Sequence, residues 1–477
     1  MSQVQNGDQS EPIDLSVKKM KRNNEVNNPS KRARIVANEQ HQSGDIFKLV
    51  IDCFEEVFDF LSLQDLVAMG QTCKRMQRIA GHCFQQNYRA QPVFFCVHTF
   101  LMIDEDANLE CFYYLLQNIE VDIHNIFDED EDLYISTQNF ITSLKHLQSI
   151  KKITIGNISL TMAQIDEMRL IRSKIESVKF EKNDFNEKLF NALLAPGSNV
   201  KHLSLRESFS NEHQWMYGIY PKLEYFELTS CVYEEVPALK TFFELNTTIK
   251  HFSIDMGLLW SNRAFFINSN IKFDTLRIIH RRDVEFDSFC RLLNEFHECG
   301  FYKKLRFGYM YDIEQETINQ LASVKGLVMF GVDLKGHNIN ISSLINLEEL
   351  CVSGRYDSNF IMDCTSLRDK FLKLKRIDFY GVSFDNLIPF IFFAKNVNKI
   401  NVQNLRSGSH FEETDGVLDL LTLNKERKKL FAAQKITIYA EEHVYLATKW
   451  AMKQTDFKLI EMKRITSYDW RQDGFDP

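Results

Sequence analysis

Proline and glycine are scarce in this 477-residue chain, at 8 and 18 residues, which leaves few turn residues for a β-sandwich of short hairpins. The ten cysteines (53, 73, 83, 96, 111, 231, 290, 299, 351 and 364) stand singly, with no C-x-x-C pair. That spacing argues against a secreted disulfide framework or a zinc ribbon, and for small core residues in a reduced protein. No stretch approaches the roughly 18 uncharged apolar residues of a membrane span. The N-terminal MSQVQNGDQSEP has no apolar region, so neither a membrane partner nor a secretory signal is expected. Positive charge is not in excess: 57 Lys and Arg against 65 Asp and Glu give −8, which argues against nucleic acid as a partner. Glycine-rich phosphate loops, H-E-x-x-H and G-x-S-x-G are missing, and His297-Glu298-Cys299 has no further ligands around it. No catalytic residues, metal or cofactor are therefore expected. What remains is 44% apolar composition, enough for a large core, and 39 Phe, a number that asks for something repetitive to use them.

Residues 1–44 are polar and aperiodic and read as a disordered tail. Two basic clusters lie within it, Lys18, Lys19, Lys21 and Arg22, then Lys31, Arg32 and Arg34, eight residues further on. This spacing resembles a bipartite nuclear import signal read by an importin carrier, so the nucleus is the expected location, with the cytoplasm also open. Just before them, Pro12-Ile13-Asp14-Leu15-Ser16 resembles the P-x-D-L-S motif that docks onto the C-terminal binding protein family of corepressors. In such an extended peptide Ile13 and Leu15 act as apolar anchors, with Asp14 and Ser16 as polar contacts.

Residues 45–90 change character. Leu49, Cys53, Phe54, Val57, Phe58 and Leu61 recur at helical spacing, Ser62 can cap a second helix carrying Leu66, Val67 and Met69, and Met76 and Ile79 mark a third. About 45 residues make a small core, so the module is expected to lean on a partner. The pattern resembles an F-box, matching with Leu49, Asp52, Val57, Phe58, Phe60, Leu61, Ser62, Asp65, Leu66, Cys73, Lys74, Arg75, Ile79 and Ala80. It departs at Val50, where the family usually has proline, and at Met76, where it usually has an aromatic. The resemblance implies a surface for a Skp-family adaptor, and through it a cullin, formed by Leu49, Val50, Val57, Phe58, Leu61 and Leu66.

Residues 91–149 read as a linker or cap with room for one degenerate repeat. They hold the apolar PVFFCVHTFLMI, a helix-like stretch from Leu109 to Asn118, and an acidic run, Asp128 to Asp132, expected as a solvated loop. From Ile150 to about residue 465 one pattern returns: apolar, two residues, apolar, one residue, apolar. Thirteen copies start at Ile150, Ile175, Val200, Leu223, Ile249, Phe273, Tyr302, Val324, Leu347, Leu374, Val397, Ala433 and Phe457. Their mean spacing of about 26 residues falls in the leucine-rich-repeat window of roughly 20–29. Phe and Ile often replace Leu, which accounts for the phenylalanines. Asn183 and Cys231 occupy the position that ties neighbouring turns together. Amphipathic stretches such as NEKLFNALLAP, VPALKTFFELN and DSFCRLLNEFHEC separate the strands. The expected fold is an α/β leucine-rich-repeat solenoid, a horseshoe preceded by a small all-α F-box and a disordered tail, with 466–477 as a C-terminal tail. The 36-residue interval after Val397 should hold an insertion or a poorly formed repeat.

In such strands the third and fifth residues should face the concave side. There Lys152, Lys179, Arg277, Lys304, Arg306, Arg376, Lys399 and Lys435 outnumber Glu227, Glu349 and Asp378. Arg277, Lys304 and Arg306, with His280 and Tyr309, are the expected contacts for an acidic or phosphorylated target. An F-box followed by leucine-rich repeats resembles the substrate receptors of SCF-type ubiquitin ligases, non-catalytic subunits that present a target protein. The alternative is a nuclear scaffold that recruits a corepressor without a ligase.

Overall fold

A computed structural model describes residues 50–465 except 90, 97–98, 103–106, 123–129, 157, 159, 182–186, 196–197, 207–213, 230–234, 280–283, 311–312, 335–339, 355–367, 383, 405–416 and 453–456. The tail motifs, Leu49, Asn183, Cys231 and His280 lie outside the described residues. Two compact units divide between Cys53 and Phe54, and of the first only residues 50–53 are described.

Three helices come first: α1 (Ile51–Phe58), α2 (Leu63–Thr72) and α3 (Lys74–Asn87). The strands are β1 (Val93–Cys96), β2 (Thr99–Leu101), β3 (Asn118–Asp122), β4 (Lys152–Gly156), β5 (Ser177–Glu181), β6 (His202–Arg206), β7 (Tyr225–Thr229), β8 (His251–Asp255) and β9 (Phe273–Ile279). They continue as β10 (Tyr302–Met310), β11 (Leu327–Leu334), β12 (Glu349–Gly354), β13 (Arg376–Tyr380), β14 (Lys399–Gln403), β15 (Ile436–Ala440) and β16 (Ile460–Arg464). All belong to one 16-stranded sheet in the order β16 down to β3, then β1 and β2. Every neighbouring pair is parallel except β1 and β2. Every one of the thirteen sequence copies is a strand, β4 to β16, and helices such as Glu187–Leu194, Ala238–Leu245 and Phe286–Glu298 fall where the amphipathic stretches lie.

The apolar pattern builds the core column by column. Ile153, Val178, Leu203, Phe226, Phe252, Leu276 and Leu305 are register partners on successive strands, and each is fully buried. Phenylalanine exploits the repeat distance: the Phe226 and Phe252 rings stack 5° from parallel with centroids 6.0 Å apart, and Phe242 packs on Phe226 at 4.7 Å. No repeat could bury these side chains alone, so stacking supplies the stability.

Several expectations need correction. The helix-like 109–118 stretch is a 3-10 turn, Glu110–Leu115, followed by β3, so the cap extends the sheet by the parallel strands β3 and β1 and the antiparallel β2. The acidic run is not all loop, because a helix starts at Asp130 and runs to Ser143; acidic side chains suit a helix N-terminus. In the eighth copy a register shift between Leu305 and Arg306 puts Phe330 and Val332, rather than Leu327 and Met329, opposite Leu350 and Val352. In the twelfth, Ile400 and Val402 pair with Ile438 and Ala440, two residues later than the sequence pattern, which moves Lys435 out of the concave register. The interval before it is filled by the helix Leu420–Arg427. There Arg427, fully buried, donates hydrogen bonds to the carbonyls of Ile391, Ala394, Lys395, Val397 and Gln434 at 2.9–3.1 Å.

Candidate adaptor-docking site

Ser62 starts α2, its Oγ accepting the Asp65 N–H at 3.1 Å. Behind this turn Phe54, Phe58, Leu63, Leu66, Val67, Met76, Ile79, Ala80 and Phe84 are buried together. Phe58 and Leu66 therefore shape the hairpin from inside, Leu61 is half-buried, and Val50 and Val57 present side chains outward, Val57 at 51% exposure. Met76 fills the interior at the position where an aromatic was expected, 1% exposed.

A core this small does need support, and it comes from two places far apart in sequence. Phe84 stacks on Phe112 at 4.9 Å, and Gln77 donates to the Cys111 carbonyl at 2.9 Å, joining α3 to the 3-10 turn at the start of the sheet. At the other end of the sheet, the helix Glu442–Ala451 and β16 hold the same helical segment. Glu442 accepts the Leu63 N–H at 2.8 Å with one carboxylate oxygen and the Tyr88 hydroxyl at 2.6 Å with the other. Arg464 donates to that hydroxyl at 2.8 Å and to the carbonyls of Asp59 and Leu61 at 3.0 and 2.8 Å. A cation there meets carbonyls left open where α1 ends, the place where positive charge is favoured. Lys449 pairs with Asp59, and Tyr445 donates to the same carboxylate at 3.1 Å. Sequence reasoning missed Glu442, Lys449 and Arg464, since nothing local marks a contact nearly 400 residues away.

The concave face has a different character from its charge count. Arg306 lies opposite Arg277 across β9 and β10, and Lys304 opposite Thr275, so the expected residues do come together. Tyr309 is on β10 opposite Gly331. Yet Arg277 is only 3% exposed and Arg306 8%, and Arg306 donates to Glu349 at 2.5 Å. Burial pulls the Arg306 pKa down against the pull of Glu349. Neighbouring charges are matched likewise: Lys179 with Glu181, Arg206 with Glu181 and Glu227, Arg376 with Asp378. Burial pushes the Glu227 carboxyl up, but Arg206, Arg277 and the Tyr225 hydroxyl together hold it at about 2. Lys304 reaches Glu348 at 3.0 Å and stays half in water.

Repeats are also stitched by asparagines on the connecting helices or at their ends. Asn246, Asn262, Asn294 and Asn424 accept the backbone N–H of Tyr220, Val236, Lys325 and Leu459 at 2.6–3.0 Å.

Among the described residues no group of His, Cys, Asp and Glu could hold a metal ion, and no helix is long and apolar enough to cross a membrane. Residues 46–83 match the F-box domain family. No curated protein sequence matches the chain. Similar solved structures include the leucine-rich repeat-containing protein LegL7 from Legionella pneumophila, 10% identical over 66% of this chain and 91% of that one, with a TM-score of 0.31. Another is the glycosylated Toll–Spatzle complex of Drosophila, 11% identical over 75% of this chain and 56% of that one, with a TM-score of 0.23. This chain thus carries an F-box segment at residues 46–83, followed by thirteen successive parallel strands, β4 to β16, with helices in many of their connections, the architecture expected of a leucine-rich-repeat solenoid.

Proposed function

We propose that the chain is the target-recognition subunit of an SCF-type ubiquitin ligase, its F-box holding a Skp-family adaptor and thereby a cullin, and its sheet holding the target. The observation that carries this reading is the hairpin of 54–89: a buried core, a capped α2 and an outward Val57, within a segment that matches the F-box family. The protein's own part is to bind and to place, and the chemistry belongs to its partners. For the target we propose the concave strip of Arg277, His280, Lys304, Arg306 and Tyr309, meeting an acidic or phosphorylated segment. Since Arg306 is already bonded to Glu349, Lys304 makes the first contact and Arg306 would have to exchange partners. The basic clusters of the tail would serve an importin, and Pro12 to Ser16 a C-terminal binding protein corepressor, placing the complex in the nucleus.

Titrating a purified Skp-type adaptor into the full chain tests this. Binding should be present in the wild type and fall at least tenfold in Val57→Asp, which leaves the core untouched. A wild type that does not bind favours the alternative, a corepressor-recruiting scaffold. The motivation for that alternative is Val50, exposed where proline usually begins the adaptor surface.

A further inference from the structure

Trp450 is the penultimate residue of the helix Glu442–Ala451 in the twelfth repeat, yet it is 69% exposed. Its indole meets the Phe60 ring edge-on, centroids 5.7 Å apart. Phe60 is half-buried and lies one turn beyond Val57, its N–H bonded to the Val57 carbonyl at 3.0 Å. The exposed Val57 and Trp450 thus flank the half-buried Phe60, an apolar run that begins on the F-box and ends on the helix of the twelfth repeat. Lys449 lies over the other side of the contact, its ammonium 4.5 Å from the Phe60 ring centre, and pairs with Asp59. Large exposed apolar side chains edged by charge mark docking surfaces.

We propose that Trp450 belongs to the adaptor-docking surface, so that one adaptor contacts both the F-box and the twelfth repeat. This rests on the F-box reading above. The occupant follows from continuity: Trp450 adjoins Phe60 on the module whose partner is a Skp-type adaptor, and it is held there before any partner arrives. Glu442, Arg464 and Lys449 fix the ends of the hairpin against the last two repeats, so little side-chain or segment ordering remains to be done on binding. A preorganised tryptophan at the edge of an apolar patch is the kind of residue that dominates interface energetics. The twelfth repeat would then sense the adaptor directly, rather than through the eleven repeats before it.

The test is calorimetric titration of the full chain with purified Skp-type adaptor, comparing wild type, Trp450→Ala, Trp450→Phe and Phe431→Ala. Phe431 is 95% exposed and lies away from the strip in sequence, so its variant serves as the surface control. Trp450→Ala should weaken binding about tenfold, Trp450→Phe should recover most of the loss, and Phe431→Ala should match the wild type. Melting temperatures should be unchanged, since Trp450 is largely in solvent. Binding of Trp450→Ala within twofold of wild type overturns the proposal and leaves the F-box reading intact. A wild type without adaptor binding overturns both. If Trp450→Ala instead abolishes self-association in sedimentation while adaptor affinity holds, the strip is a contact between copies of this chain and the proposal is overturned.

Discussion

Two rows of charge cross this sheet, and they behave differently. On the rim where the strands begin, Lys151, Glu176, Lys201, Glu224, Lys250, Asp274 and Lys303 alternate in sign from one repeat to the next. The same residues stitch the backbone: the Glu176 carbonyl accepts from Lys201 and His202, the Lys201 carbonyl from Glu224 and Tyr225, the Glu224 carbonyl from Lys250 and His251. Their side chains pair in solvent, as Lys201 does with Glu176 at 3.0 Å and Lys303 with Asp274 at 2.6 Å. Three positions further along the chain in each repeat, the inner row of Lys179, Glu227, Arg277, Arg306 and Asp378 is buried. Strands spaced roughly 4.8 Å apart press these long side chains onto one another. Ion pairing of the same kind should therefore count for little on the rim and a great deal inside, because only the inner charges have lost their water.

The sharpest way to break this comparison is Glu227→Ala. It takes from Arg206 its 2.5 Å partner, leaving the longer 3.4 Å contact with Glu181, and removes the buried carboxylate beside Arg277. An uncompensated buried charge costs about 3–5 kcal/mol, so the melting temperature should drop by several degrees and hydrogen exchange should quicken in β6 to β9. A variant as stable as the wild type would mean that the inner row is solvated after all.

A smaller effect should appear with pH. The Glu227 carboxyl titrates near 2 in the folded chain, below its ordinary value. A depressed carboxylate contributes stability that is fully present above the unfolded pKa of roughly 4.5 and is lost as pH falls towards 2. Urea midpoints measured at pH 5 and pH 3 should therefore move apart more in wild type than in Glu227→Gln. Equal shifts would remove Glu227 from the acid response.

The smallest change is expected on the rim. Lys201→Met should cost no more than about 1 kcal/mol, and 1 M salt should erase even that difference. A loss comparable to that of Glu227→Ala would show that the rim ladder, rather than the inner row, sets the stability of the sheet.

The repeat pattern carried most of the architecture because stacking needs only the same apolar spacing again and again. Ile153 to Leu305 could be aligned from text and are aligned in space. The reading slipped where the chain bulges. At Met329 an apolar residue sits one place early, and at Ile436 a second apolar pair mimics the first, so periodicity could not choose the register. Arg427 was invisible for a related reason: an arginine on a short helix looks like surface until five carbonyls are brought around it. For the docking site, Ser62 and Phe58 were legible because capping and helical spacing are local rules.

What the sequence determined by itself was the periodic part: a three-helix module of F-box type, thirteen strands, and a core supplied by Leu, Ile and Phe at fixed spacing. Each follows from rules that act over a few residues, and so can be read from a few residues. Tertiary structure alone decided which charges became buried, since Arg277, Arg306 and Lys304 carry the same sign in the text and differ only in how neighbouring strands cover them. It also decided that Glu442, Lys449 and Arg464 of the last two repeats would grip the first helices. A contact between residues nearly 400 apart depends on the accumulated geometry of every repeat between them, and no local pattern encodes that sum.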